Sequence, residues 1–312
     1  MNIALIFPGQ GSQYIGMGRD FYDHSELCKH TFETLDEVIG RNLTDIMFSG
    51  PIEKLSETVN AQPSIMAVSV AIFRYIEEKN IISKHNVTCV AGHSLGEYSA
   101  LVVNKSISFE DSIKLLIIRS NAMQESMPLG TGGMAAVIGE EETKIKSVIR
   151  ELHKIGKLYI ANDNAAGQIV ISGEMSAIDY FCQNYKELGI KKTIKLPVSA
   201  PFHTNLISKA SDILESALED FNFDEFLYPF YSNVTAEKTN VEFIKKLLAQ
   251  QVVSRVRWRE TMQNILKDNI DIFVEIGPGK TLTNLLKRSS NGVNVVSVGK
   301  ISDLTKLESL LI

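Results

Sequence analysis

At 312 residues, with 44% hydrophobic and 22% charged side chains, the chain has a soluble globular composition and enough apolar residues for one large domain, or one domain carrying a smaller one. Its net charge of −5 gives no general reason to expect polyanion binding, so nucleic acid is set aside as a partner. Three cysteines, Cys28, Cys89 and Cys182, have neither CxxC nor metal-ligand spacing; no metal centre is expected, and the usage suits a reducing compartment.

The apolar start, residues 1–7, has no basic lead and reaches Pro8-Gly9 at once. It reads as a first strand over 3–7 and not as a signal peptide. No apolar run approaches the roughly 18 residues that span a bilayer, so no membrane is expected and the chain is placed in the cytoplasm. Asn42, Asn86 and Asn233 open N-x-T triplets, which without secretion are accidents. A Gly-rich turn follows the first strand. Apolar spacing at Ile65, Val68, Ile72, Tyr75 and Ile76 predicts a helix over 62–80. A strand over 87–91, a helix over 97–103 and an amphipathic helix over 109–126 come next. This alternation predicts an α/β layered domain with a mainly parallel sheet.

Gly130-Thr131-Gly132-Gly133 breaks the pattern. Beyond it come a strand over 134–138, a helix over 141–155, strands over 158–162 and 168–172, a helix over 176–188 and a strand over 192–196. That β-α-β-β-α-β order is the split-βαβ arrangement. It reads as an insertion, because the α/β pattern resumes after Pro197 with a helix near 206–221, a strand over 272–276 and a helix over 281–288. The domains are therefore expected at 1–127 with 199–312, and at 128–198.

The strongest chemical signal is Gly92-His93-Ser94-Leu95-Gly96, a G-x-S-x-G sequence between an apolar strand and a helix. A tight strand-to-helix turn pushes the central side chain outward, needs small residues on either side, and leaves the Leu95 N–H at a helix start. The alternative is a glycine-flanked turn whose serine caps the helix. A nucleophilic serine needs a base. Among six histidines, His24, His30 and His153 lie in charged helical stretches, His85 in a polar loop, and His93 beside the serine, where adjacency points side chains apart. His203, after Pro201-Phe202, is the best base by elimination. No convincing third acid presents itself: Asp271 and Glu275 lie near a late strand, where carboxylates often do structural work. An amide or a backbone carbonyl would suffice as orienter, with Gln251 a candidate. Arg119 interrupts the apolar run Leu115-Leu116-Ile117-Ile118, where a charge is costly unless paired. It is either a snorkelling or ion-paired arginine, or a fork for a substrate carboxylate. Gly277-Pro278-Gly279-Lys280-Thr281 ends like a phosphate loop but has Val274 where that loop needs glycine, and Gly9–Gly16 fails the dinucleotide spacing.

Six segments taken together carry a resemblance: Phe7-Pro8-Gly9-Gln10-Gly11-Ser12-Gln13, Gly92 to Glu97, Gly130 to Val137, Pro201-Phe202-His203, Val256-Arg257-Trp258 and Glu275 to Gly279. In sequence, order and spacing the chain resembles the malonyl-CoA:acyl carrier protein transacylase family from Phe7 almost to its end. The resemblance implies an α/β-hydrolase-like large subdomain with a ferredoxin-like (βαββαβ) subdomain inserted. It implies Ser94 as acyl-serine, His203 as base, Arg119 as the grip on the malonyl carboxylate, and Gln10 as the backbone donor that joins Leu95 in an oxyanion hole. Gln251 then helps to orient the site, Asn162 and Asn164 lie in the cleft, and His93 and Phe202 join the substrate-binding set. Phe202 and Leu95 narrow the space at the substrate α-carbon, a pattern that looks like malonyl rather than methylmalonyl selection.

The implied reaction is ping-pong transfer from malonyl-CoA, a substrate and not a resident cofactor, to the phosphopantetheine thiol of a holo acyl carrier protein. Backbone donors at Gln10 and Leu95 would each contribute roughly 3 kcal/mol. An acyl group without a carboxylate would leave Arg119 unpaired, at a cost on the order of 2–5 kcal/mol. The carrier is expected to be acidic. Either the Arg255, Arg257 and Arg259 stretch or the Lys191, Lys192 and Lys195 stretch lies at the cleft rim and steers docking, or each is a solvated basic face. The competing enzyme reading is a hydrolase that edits acyl chains stalled on carrier proteins, which Arg119 and Phe202 oppose. A non-catalytic carrier-binding scaffold has no need of Ser94. Fatty acid and trans-acting polyketide pathways are both compatible with the motifs, with a slight lean to the former. A monomer is the working expectation.

Overall fold

Strand β1, Ile3–Phe7, is buried along its whole length, and its alternate side chains enter two separate cores. Ile3, Leu5 and Phe7 pack into one, Ala4 and Ile6 into the other. A strand buried on both faces belongs in a parallel sheet covered by helices on both sides. The computed structural model describes residues 1–198, 200–289 and 292–311. In it, β1 lies inside a six-stranded sheet of order β10-β9-β1-β2-β7-β8. The other members are β2 Val87–Gly92, β7 Phe230–Tyr231, β8 Lys238–Thr239, β9 Ile272–Ile276 and β10 Asn294–Val298. All neighbours pair in parallel except the short β7–β8 hairpin.

A second sheet is wholly antiparallel, in the order β4-β5-β3-β6. Its strands are β3 Gly132–Ile138, β4 Leu158–Ala165, β5 Gln168–Glu174 and β6 Lys192–Lys195, with helices Glu142–Glu151 and Met175–Asn184 between them in the split-βαβ order. The helices close its own core around Val137, Ile145, Ile171 and Phe181. The molecule thus joins a parallel-rich sheet to a ferredoxin-like antiparallel one. The boundary expected at residue 199 lies outside the described residues.

The two sheets are stitched together by backbone. Asp163 N–H donates to the Val256 carbonyl at 2.9 Å, and Val256 N–H to the Ala161 carbonyl at 2.8 Å, so β4 borrows the 255–257 segment as a short parallel partner. Between β1 and β2 the simple alternation read from sequence does not hold. Five α-helices occupy that interval, ending with Thr58–Glu78, which starts about a turn earlier than the helix expected over 62–80. Among the described residues no helix is long and apolar enough to cross a membrane.

Candidate active site

The site begins with the turn that ends β2. Ser94 has φ of +53°, in the left-handed region that a side chain occupies only when its surroundings fix it there. Glycine is required on both sides. A Cβ on Gly92 would lie 1.9 Å from the Gly96 carbonyl carbon, and one on Gly96 would lie 2.3 Å from the Phe7 carbonyl oxygen. Leu95 is the N-cap residue of the helix Gly96–Val103 that follows. Asn233, just after β7, holds the turn from below. Its Oδ1 accepts the Ser94 N–H and its Nδ2 donates to the Gly92 carbonyl, both at 2.7 Å.

Ser94 Oγ stands 2.8 Å from His203 Nε2. On the far side of the ring, Nδ1 is 2.8 Å from the Gln251 carbonyl oxygen. A carbonyl can only accept, so Nδ1 carries the proton and Nε2 faces the serine with a free lone pair. His203 is 5% exposed. Burial first, and the Arg119 charge second, push its pKa down to about 3, which keeps the ring neutral at physiological pH. The orienter is thus a backbone carbonyl, and among the described residues no acid hydrogen-bonds the histidine ring. Asp271 accepts the Asn2 N–H, while Glu275 accepts the Leu282 and Thr283 N–H groups at the start of the next helix; both work in the fold.

Arg119 projects from the helix Phe109–Glu125 and is 1% exposed. It neither snorkels nor forms an ion pair among the described residues. Nη1 donates to Gln62 Oε1 and Nη2 to Gln251 Oε1, each at 2.7 Å, and Nη2 also donates to Ser94 Oγ at 3.1 Å. Its Nε is buried with no hydrogen-bond partner, and the guanidinium lies 5.7 Å from the centre of the Tyr98 ring. A buried cation held by neutral amides and a hydroxyl, with a donor left over, has the chemistry to accept an anionic partner.

A cavity of about 240 Å³ opens over these groups, and Gln10, His93, Ser94, Leu95, Arg119, Asn162, Asn164, Phe202 and His203 all line it. Gln251 lies beneath, reaching the site through its hydrogen bonds. His93 does turn away from Ser94: its Nε2 bonds Asn164 Oδ1 of β4 at 2.8 Å across the cleft, and its ring packs edge-on to Trp258 at 5.5 Å. Burial lowers the His93 pKa, so this is a neutral bridge between the two sheets. Among the described residues no group of three or more His, Cys, Asp or Glu is placed to hold a metal ion.

Three residues of this network escaped the sequence reading: Gln62, Asn233 and Glu97. Glu97 is a charge in an apolar helix, the same signal that singled out Arg119. Asn233 lies in a triplet set aside as an accident, and nothing in its neighbourhood announces a partner at Ser94. The arginine stretch also differs from expectation. Arg255 donates to both oxygens of Glu142 and to Asp163 Oδ2, Arg259 donates to Asp163 Oδ2, and Arg257 pairs with Glu260. These three arginines are engaged inside the molecule. Lys195 pairs with Asp179, and Lys191 Nζ donates to the Gly139 carbonyl.

Residues 4–308 match the acyl transferase domain family. The malonyl CoA-acyl carrier protein transacylase of Bacillus subtilis is 37% identical over 298 residues, covering 95% of this chain and 93% of that relative. The crystal structure of an acyl-carrier-protein-S-malonyltransferase from Bartonella henselae superposes with a TM-score of 0.95 at 40% identity, covering 100% of both chains. A malonyl-transacylase solved in complex with its type II polyketide synthase acyl carrier protein superposes with a TM-score of 0.94 at 35% identity, covering 99% of each chain.

Proposed function

The chain belongs to the malonyl-CoA–acyl carrier protein transacylases of the acyl transferase domain family, and on that premise we propose that Ser94 carries malonyl from coenzyme A to the phosphopantetheine thiol of a holo acyl carrier protein. His203 Nε2 takes the Ser94 proton as Oγ attacks the thioester carbonyl. The resulting oxyanion is held by the backbone N–H groups of Gln10 and Leu95, which donate to no acceptor among the described residues. Collapse expels the coenzyme A thiolate, which takes the proton back from His203, and leaves malonyl esterified to Ser94. The carrier thiol then gives its proton to His203 and attacks the ester, and the proton returns to Ser94 as the malonyl thioester departs. Through both halves the Gln251 carbonyl holds the ring in one tautomer.

The observation that carries the substrate assignment is the state of Arg119. Its charge is buried beside Ser94 Oγ, and among the described residues no carboxylate pairs with it and its Nε has no hydrogen-bond partner. The free carboxylate of malonyl supplies the missing partner, and a neutral acyl group does not. Phe202 and Leu95 close the space around the α-carbon, Asn162 lines the wall opposite, and His93 with Asn164 ties the cleft walls together. An outer groove of about 890 Å³ shares Ser56, Leu196, Pro197 and Val198 with the inner cavity, and gives the phosphopantetheine arm a path to Ser94. We take residues 128–198 as the inserted subdomain and the rest as the catalytic one. The whole site comes from one chain, which fits a working monomer. Three free cysteines fit a reducing, cytoplasmic setting, where the product would feed fatty acid or polyketide synthesis.

The test is transfer itself. Malonyl-CoA mixed with enzyme and holo carrier protein should yield malonyl-carrier with parallel-line, ping-pong kinetics, and the apo carrier should stay unloaded. Release of free malonate with no loading of the carrier would replace this reading with that of an acyl hydrolase.

A further inference from the structure

Glu97 opens the helix Gly96–Val103 and is wholly buried, yet the mechanism above makes no use of it. Both of its oxygens are committed. Oε1 accepts the Asn233 backbone N–H at 2.5 Å, and Oε2 accepts an N–H of the Gln251 side chain at 2.5 Å. Both partners are N–H groups, so each oxygen of the carboxyl acts as an acceptor. Burial pushes this carboxyl up to about 8, while the Asn233 N–H, the Gln251 amide and the Arg119 charge pull the other way.

What Glu97 holds is the amide of Gln251, a group whose two ends match in shape and oppose in hydrogen-bonding sense. Gln251 Nε2 donates to the Ser94 carbonyl at 2.9 Å and to Glu97, and Oε1 accepts from Arg119 Nη2 at 2.7 Å. Turned over, the amide would aim N–H groups at the guanidinium and its oxygen at two acceptors. The Ser94 carbonyl and the guanidinium each oppose that flip with one bond, and Glu97 adds a second acceptor on the Nε2 side. The same carboxylate pins Asn233, which in turn holds the Ser94 turn.

We infer that Glu97 is a positioning residue for malonyl recognition, fixing the Gln251 amide with its oxygen toward Arg119 and so setting the aim of the guanidinium beside Ser94. The inference rests on the malonyl-transfer reading. Glu97→Gln keeps the shape and removes an acceptor: its one amide oxygen serves one of the two donors, and the other donor meets N–H. The experiment compares rates of Ser94 acylation by malonyl-CoA and by acetyl-CoA, read by intact mass after rapid quenching, in wild type, Glu97→Gln, Arg119→Ala and the double variant.

Glu97→Gln should lower the preference for malonyl over acetyl by about tenfold or more, chiefly through the KM for malonyl-CoA. It should remove little further preference once Arg119 is alanine, because nothing is left to aim. An equal loss with both substrates, or a loss of preference that adds in full to that of Arg119→Ala, would overturn the inference. If Glu97→Gln does not fold, Glu97→Asp serves in its place; its carboxylate is one methylene shorter and should loosen Gln251 in the same way. Failure of both variants to fold would make Glu97 a determinant of the fold and overturn its assigned role. A wild type with no malonyl preference would sink the malonyl reading itself, so the two failures are distinguishable.

Discussion

Arg119, beneath the cleft, and the Arg255–Arg259 pair, where the two sheets meet, are guanidinium groups drawn out of water, and their partners differ in kind. Arg255 and Arg259 keep 26% and 28% of their side chains exposed and meet the carboxylates of Glu142 and Asp163 at 2.7 to 3.6 Å. Arg119 is deeper, and it meets two amides and a hydroxyl. The first arrangement matches charge with charge, although Arg255 Nε, like Arg119 Nε, is buried without a hydrogen-bond partner among the described residues, and its work is to hold β4 against the 255–259 segment. The second has no carboxylate within ion-pair distance among the described residues, and the substrate carboxylate of the proposed reaction would supply one. Partner chemistry, more than burial, separates the structural arginine from the recognising one.

The comparison is broken most severely through Arg119. Arg119→Ala should reduce malonyl acylation about 10²–10³-fold, a loss of about 3–4 kcal/mol in the transition state, because substrate carboxylate then enters the site unpaired. Acetyl acylation should fall far less, and the melting temperature should hold or rise, since an uncompensated buried charge has been removed. Steady-state kinetics with both thioesters and a thermal melt check this together; a folded but destabilised variant that still prefers malonyl would invert the comparison.

Arg255→Ala should do the reverse. It leaves Asp163, which is 1% exposed, with one cation in place of two, and should cost about 1–3 kcal/mol of stability by denaturant titration. The malonyl-to-acetyl ratio should not move. A change in that ratio without loss of stability would show that this pair also reaches the substrate.

The smallest effect lies in the pH profile. The folded His203 pKa, about 3, lies below the ordinary 6.5, so the neutral base survives well into acid. The acid limb of kcat/KM should lie clearly below pH 6.5. It should move upward in Arg119→Ala, measured with acetyl-CoA, because that charge is the second cause of the depression. For stability the sign is the same. The His203 contribution is full above about pH 6.5 and is lost as pH falls toward the folded value. An acid limb at 6.5 in both proteins would mean that the ring titrates as if in water.

The legible parts of the fold and site were those written locally. The Ser94 turn needs small residues at Gly92 and Gly96 within five positions, and a charge directly after the apolar run Leu115–Ile118 marks Arg119 without any tertiary knowledge. The split-βαβ order around residues 132–195 was readable because each of its elements has a strong period. What escaped depends on contacts far along the chain. Gln62 meets Arg119 across 57 positions, and Asn233 meets Ser94 across 139. Arg255 finds Glu142 across 113, which is why a basic stretch in sequence became an internal clamp in space. Glu97 was visible by the same logic as Arg119, but an acidic residue in a first helical turn is ordinarily explained by the helix dipole. Between residues 19 and 56 the helices Arg19–His24, Leu43–Ser49 and Ile52–Ser56 are too short for the long periodic runs on which sequence reading depends.

The central claim is a malonyl ester on Ser94, held there because Arg119 receives its carboxylate. The most direct measurement is intact-protein mass spectrometry after brief mixing with malonyl-CoA, with peptide mapping of the modified residue and Ser94→Ala as control. The account predicts one malonyl adduct on the peptide containing Ser94, absent from the variant, scarce when acetyl-CoA replaces malonyl-CoA, and discharged by holo carrier protein. An adduct that persists in Ser94→Ala, or equal labelling by acetyl-CoA and malonyl-CoA, would contradict it.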